Sequence, residues 1–161
     1  MRTVVTIGVY GFTADTFLAA LDHVGVELLL DVRQRRGVRG PEYAWANSKR
    51  LQAALAGAGI AYRHHLELAP TTELRRLQYR EDARLGVGKR ERVELAPEYR
   101  ERYTREILDR VDLEPIIESL PAGAATALLC VERDPEACHR SLIAERMAAE
   151  PGVSVRHLKP G

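Results

Sequence analysis

Thr126–Met147, TALLCVERDPEACHRSLIAERM, passes from a buried strand through a charged turn into a helix, and chemistry is often placed at such a junction. Ala127, Leu128, Leu129, Cys130 and Val131 are a continuous apolar run of strand length, which fits a strand covered on both faces. Glu132 then stands at its carboxyl end. Asp134, Pro135 and Glu136 form a strong helix start, with a capping oxygen, a proline whose missing N–H costs nothing there, and negative charge at the positive end of the helix dipole. The helix is therefore expected from Pro135. On it, Cys138 precedes Leu142 by one turn and His139 precedes Ile143, so both point to the apolar side at the top of the helix–sheet interface, with Arg140 as their cationic neighbour.

Working outward, Thr3–Val9 is β-rich, and Thr13 can cap a helix carrying Phe17, Leu18, Leu21 and Val24. Val26–Val32 is a second buried strand with Asp31 near its end. Arg33 to Ala46 is a polar loop with four arginines, Asn47 caps the next helix, and Ile60–His65 is a third strand. Helical segments fill residues 71–120, and Val153–Leu158 closes the sheet. The order predicts an α/β fold: a three-layer sandwich with a mostly parallel five-stranded sheet and a helical insertion, about 71–120, between strands three and four. Residues 1–161 then make a single domain.

Ligands of such folds bind at the carboxyl ends of the strands, where the strand order reverses. The order 3-2-1-4-5 is favoured here, which puts the crevice between strands one and four and joins Tyr10 with Glu132 and His139. The alternative order 2-1-3-4-5 would face Tyr10 towards His64 and His65, of which only one can turn to the rim.

A chain of 161 residues, 45% hydrophobic and 29% charged, can build a sizeable core. Its net charge of +1 gives no global field, so attraction to nucleic acid must come from a local patch. The cations are nearly all arginine, which suits bidentate phosphate or carboxylate recognition, although a general arginine-rich composition explains much of the excess. Two cysteines make no disulfide scaffold, and neither a signal peptide nor a membrane-spanning run is visible, so a cytoplasmic protein is expected.

Asp31 and Glu132 end two different strands, which is how a fold can bring distant carboxylates together for acid–base work, and His139 can orient or transfer a proton. Tyr10, Arg33, Arg140 and Cys138 are the candidate substrate-binding residues. Structural ion pairs, Asp31 with Arg33 and Glu132 with Arg140, are the plainer reading. Cys138 lies beside His139 and Arg140, which favour a thiolate, whereas Cys130 inside the strand reads as core. Without Cys-x2-Cys or His-x3-His spacing no metal is expected, and no cofactor. Gly8-Val-Tyr-Gly11 lacks a dinucleotide fingerprint and more simply lets the backbone approach a neighbour closely.

Two functions from different classes follow. One is a hydrolase or transferase using Asp/Glu/His acid–base chemistry on a phosphate-bearing or otherwise anionic small substrate, a nucleotide or nucleic acid included. The other is a non-catalytic nucleic-acid-binding module in which Arg35, Arg36 and Arg39 hold phosphates while Tyr43 and Trp45 stack on bases. No membrane partner is expected, and a homodimer is left open.

TIGVYGF, LLLDVR, GIAYRHHLELA and above all LLCVERDPEACHRSLIAE resemble the uncharacterised family Domain of Unknown Function 488. The resemblance covers essentially the whole chain. It implies an α/β domain with a rim site and points to Asp31, Arg33, Cys130, Glu132, Cys138, His139 and Arg140 as the family's motif positions, without a reaction or substrate.

Overall fold

The computed structural model describes residues 1–161. Five strands, β1 (Arg2–Ile7), β2 (Val26–Asp31), β3 (Ala61–His64), β4 (Ala125–Leu129) and β5 (Val153–His157), form one sheet in which every pairing is parallel. Their order is β3-β2-β4-β1-β5. Neither order expected from the sequence is the observed one. The reason is burial: all of β4 is buried, as its unbroken apolar run requires, so it takes the middle of the sheet and pairs with β1 and β2. The half-exposed β3 and β5 are left at the edges.

Helices α1 (Ala14–His23) and α2 (Ser48–Gly57) cover one face. There Phe17, Leu21, Leu51 and Leu55 pack on Val5, Ile7, Leu29, Ala127 and Leu129. The other face carries α3 (Thr72–Leu85), α4 (Pro97–Glu106), the short α5 (Glu114–Glu118) and α6 (Arg140–Ala148). Leu74, Tyr99, Tyr103, Ile117, Ile143 and Met147 meet Val4, Leu28, Leu30, Leu128 and Cys130. Each strand thus sends alternate side chains into two separate apolar layers. This is the three-layer α/β sandwich, with α3 to α5 forming the insertion between the third and fourth strands. No helix is long and apolar enough to cross a membrane.

The caps follow the local chemistry. Thr13 accepts from the backbone of Thr16 in a full capping box, and Thr71 accepts from Leu74. Gly86 ends α3 at φ +70°, a conformation that costs glycine nothing. The start expected at Pro135 is different. Asp134, Pro135 and Glu136 nucleate only a three-residue 3-10 turn, Pro135–Ala137, without a side-chain cap. Cys138 is then extended (φ −141°, ψ 148°), and α6 begins at Arg140. The stretched Cys138 lets this segment turn back over the sheet, where its side chain reaches Cys130 and the next residue reaches the end of β2.

Candidate active site

Past β2 and β4 the chain leaves on opposite faces, to α2 and to α6, and a crevice opens between their ends. The crevice expected between β1 and β4 is closed instead. The backbone N–H groups of Val9 and Tyr10 both donate to the Val131 carbonyl, at 2.9 and 3.0 Å. Gly8 lies so close that a Cβ there would sit 1.8 Å from the Glu132 carbonyl oxygen. The first loop therefore seals that side, and the site moves one strand over.

At the bottom of the crevice are Cys130, Cys138, His139 and Glu132, all buried. Cys130 comes from the end of the central strand, and the other cysteine arrives on the extended segment before α6. The His139 Nδ1 lies 3.6 Å from Cys130 Sγ and 3.7 Å from Cys138 Sγ. Its Nε2 lies 2.7 Å from the Val32 carbonyl oxygen, which can only accept, so Nε2 carries a proton and Nδ1 faces the sulfurs. The Cys130 Sγ also lies 3.5 Å from Glu132 Oε2.

Burial and charge sort these groups. Burial would raise both thiols, but the hydrogen bond from Cys130 and the neighbouring His139 hold Cys138 well below the ordinary thiol value, while Cys130 is pushed well above it. Burial works against a charged His139, and the Cys138 thiolate overcomes it and raises the imidazole. The directions favour charge on Cys138 and His139 over charge on Cys130. Burial, with the negative charge of Cys138 adding to it, raises Glu132 against the pull of Lys89 and Arg92.

The helical insertion supplies the roof. Arg92, buried, donates to both oxygens of Asp82, to Glu132 Oε1 at 3.3 Å and to the Ala137 carbonyl at 3.1 Å. Gln78 completes this network by donating to Asp82 at 2.8 Å. Lys89 Nζ stands 4.0 Å from Glu132 Oε1. Roof and floor enclose an inner chamber of about 50 Å³, room for a few waters, which the two cysteines, His139 and Glu132 all line. Beside it, sharing Arg35, Arg75, Tyr79, Lys89 and Val131, is an outer basin of about 540 Å³. Arg35, Arg39, Arg75, Lys89 and Arg90 surround the basin against the single carboxylate of Glu91. Arg35 and Arg39 are exposed, and their guanidinium groups make no bond within the chain.

Not all the residues singled out from the sequence reach this place. Asp31 is fully buried behind it, accepting from Arg33 Nε at 2.9 Å, Arg33 Nη2 at 2.8 Å and the Tyr62 hydroxyl at 2.6 Å. Arg33 is therefore committed to Asp31 and to the Ala46 carbonyl, though it still edges the inner chamber. Arg140 does not pair with the Glu132 carboxylate. It donates to the carbonyls of Glu132 and Arg133, at 2.7 and 3.1 Å, and so pins the loop that carries Glu132. Tyr10 lines the outer basin, stacked obliquely on Tyr43 with Arg90 over both rings.

In the arginine loop, Arg36 donates to the Tyr62 hydroxyl at 3.3 Å, and Trp45 packs 4.9 Å, centroid to centroid, from Phe17 in the apolar layer. His64 bonds the Arg33 carbonyl and His65 pairs with Glu67, both away from the two chambers. The residues missed in the sequence are Arg75, Gln78, Tyr79, Lys89 and Arg92 of the insertion. The visible signal was the cluster Lys89-Arg90-Glu91-Arg92 directly after the helix-breaking Gly86 and Gly88.

Searches of curated proteins and of solved structures found no match to the chain. A family model matches residues 13–147, a span that contains β2 to β4, the whole insertion and every residue of the inner chamber. By that match the chain belongs to the family described as Domain of unknown function DUF488.

Proposed function

We propose that the protein is an enzyme acting on a phosphate-bearing or otherwise anionic substrate at the carboxyl-end rim of the sheet. The observation that carries this reading is the two-chamber cavity: a basin lined by five cations, of which Arg35 and Arg39 make no side-chain bond within the chain, opens beside a small buried chamber lined by Glu132, Cys138 and His139. The anion sits in the basin against Arg35, Arg39 and Lys89, and its reacting end points into the inner chamber, which is large enough for that end alone. Glu132 serves as acid or base there. Cys138 and His139 form the charged floor that the reacting atoms meet. Asp31, expected to share the acid–base work, has in this reading the task of holding Arg33, and Arg140 holds the Glu132 loop.

The non-catalytic nucleic-acid module has less support. A stacking platform needs an exposed aromatic face, and Trp45 spends its own on Phe17. The test is turnover of a panel of nucleotides, sugar phosphates and short oligonucleotides by native protein and by Glu132→Gln. A substrate turned over by native protein should still be bound by Glu132→Gln with turnover reduced at least about a hundredfold. Unchanged turnover in the variant would remove Glu132 from the reaction and overturn the assignment.

A further inference from the structure

We propose that Cys130, Cys138 and His139 form a binding site for a zinc-type divalent cation, with an open fourth position facing the inner chamber. The sequence gives no paired-ligand spacing for such a site, because one ligand ends the central strand and the other two precede α6. The fold brings their donor atoms, the two Sγ and Nδ1, within 4.8 Å of one another.

Three observations support it. First, tetrahedral zinc with Zn–S of about 2.3 Å and Zn–N of about 2.0–2.1 Å requires S···N edges of about 3.5–3.6 Å. The observed S···N edges are 3.6 and 3.7 Å, so each sulfur stands at ligand spacing from Nδ1, and the two sulfurs lie within 4.8 Å of each other. Second, the Val32 carbonyl holds the proton of His139 on Nε2, at 2.7 Å, and presents Nδ1 to the sulfurs. An outer hydrogen bond of this kind accompanies nearly every metal-ligating histidine. Third, all three residues line a chamber of about 50 Å³, which leaves room for a water or a substrate oxygen on the remaining side. Three protein ligands and an open position are the pattern of a reactive zinc site rather than a closed structural one.

Charge also fits. Two thiolates, a neutral imidazole and a divalent cation sum to zero, a state that the buried pocket tolerates better than a bare ion pair. Uptake displaces whatever protons the two sulfurs and Nδ1 hold. With the ion bound, Nδ1 of His139 is taken up by the ion while Nε2 keeps its proton on the Val32 carbonyl, and acid–base work falls to Glu132, 3.5 Å from Cys130 Sγ. The cation polarises whatever oxygen enters the inner chamber. The site deepens the enzyme reading, but its test involves no substrate, so either can fail without the other.

The experiment is a Co²⁺ titration of full-length, chelator-stripped and reduced protein, followed by absorption. The expected result is one equivalent bound with tetrahedral cobalt bands and a thiolate-to-cobalt charge-transfer band, both bleached by one equivalent of Zn²⁺. Cys130→Ser and Cys138→Ser should each weaken the charge-transfer band and lower affinity at least about tenfold. Folded native protein that takes up no stoichiometric Co²⁺, or binds it without the charge-transfer band, overturns the proposal whether or not the variants fold.

Discussion

His139 of the segment before α6 donates through Nε2 to the carbonyl of Val32 at the end of β2, at 2.7 Å, and so bridges the two loops that part to form the crevice. One hydrogen bond thereby joins the floor of the site to the strand beside it and decides which ring nitrogen the cysteines meet. Long-range nitrogen–proton correlation spectra of metal-free protein, taken above the imidazole's titration, should show the proton on Nε2. A spectrum with the proton on Nδ1 contradicts the arrangement.

The Asp31–Arg33 pair predicts a loss of stability. Asp31→Ala leaves a guanidinium that is 1% exposed without its carboxylate, which costs about 3–5 kcal/mol. Tyr62→Phe, which removes one hydrogen bond to the same carboxylate, should cost about 1 kcal/mol. Urea unfolding separates the two; a loss below about 1 kcal/mol for Asp31→Ala would mean that the pair is not structural.

Two glycines should respond in opposite directions. Gly8→Ala drives a methyl into the Glu132 backbone, 1.8 Å from its carbonyl oxygen, and no flexible side chain can yield there. The variant should lose at least about 3 kcal/mol or fail to fold. Gly57→Ala, at the end of α2 with open space around its Cβ, should gain about 0.4–1 kcal/mol. Melting midpoints of the two variants check both signs.

His157 makes stability fall on the acid side. Burial and the Arg140 charge hold its imidazole below 6.5, and its Nδ1 is 2.6 Å from the Thr6 hydroxyl. Below 6.5 the unfolded chain takes up a proton that the native state resists, so this contribution is complete above 6.5 and is lost as pH falls from there towards the folded pKa. The side chain is largely exposed, so the effect is small. Between about pH 8 and pH 5, the melting midpoint of His157→Gln should fall less steeply than that of native protein. Parallel curves would exclude His157 as a source of acid sensitivity.

Much of the architecture was legible because local signals agreed with the tertiary fold. The apolar run from Ala127 does belong to a buried strand, and the cap at Thr13 starts its helix. Strand order was less legible because the sequence shows which strands are buried and not which neighbours bury them. The same run, weighed as a demand for the central position, would have favoured the observed order. At Pro135 a good local cap lost to a longer-range demand, the reach of Cys138 and His139 to Cys130 and Val32. Cys130 looked like core and does pack in the core layer, yet its sulfur also borders the chamber. Arg92 lies 40 residues from Glu132, and no local pattern could announce that contact.

The most direct test of the central claim is thermal melting of metal-free native protein, Arg35→Ala and Lys89→Ala in inorganic pyrophosphate and in nucleoside phosphates. An anion held in the basin at about 100 times its dissociation constant adds about 2.7 kcal/mol, a rise of several degrees. The account predicts that rise in native protein and its loss in both variants. No stabilisation by any phosphate compound, or an equal rise in all three proteins, would contradict the basin as the place where an anionic substrate binds.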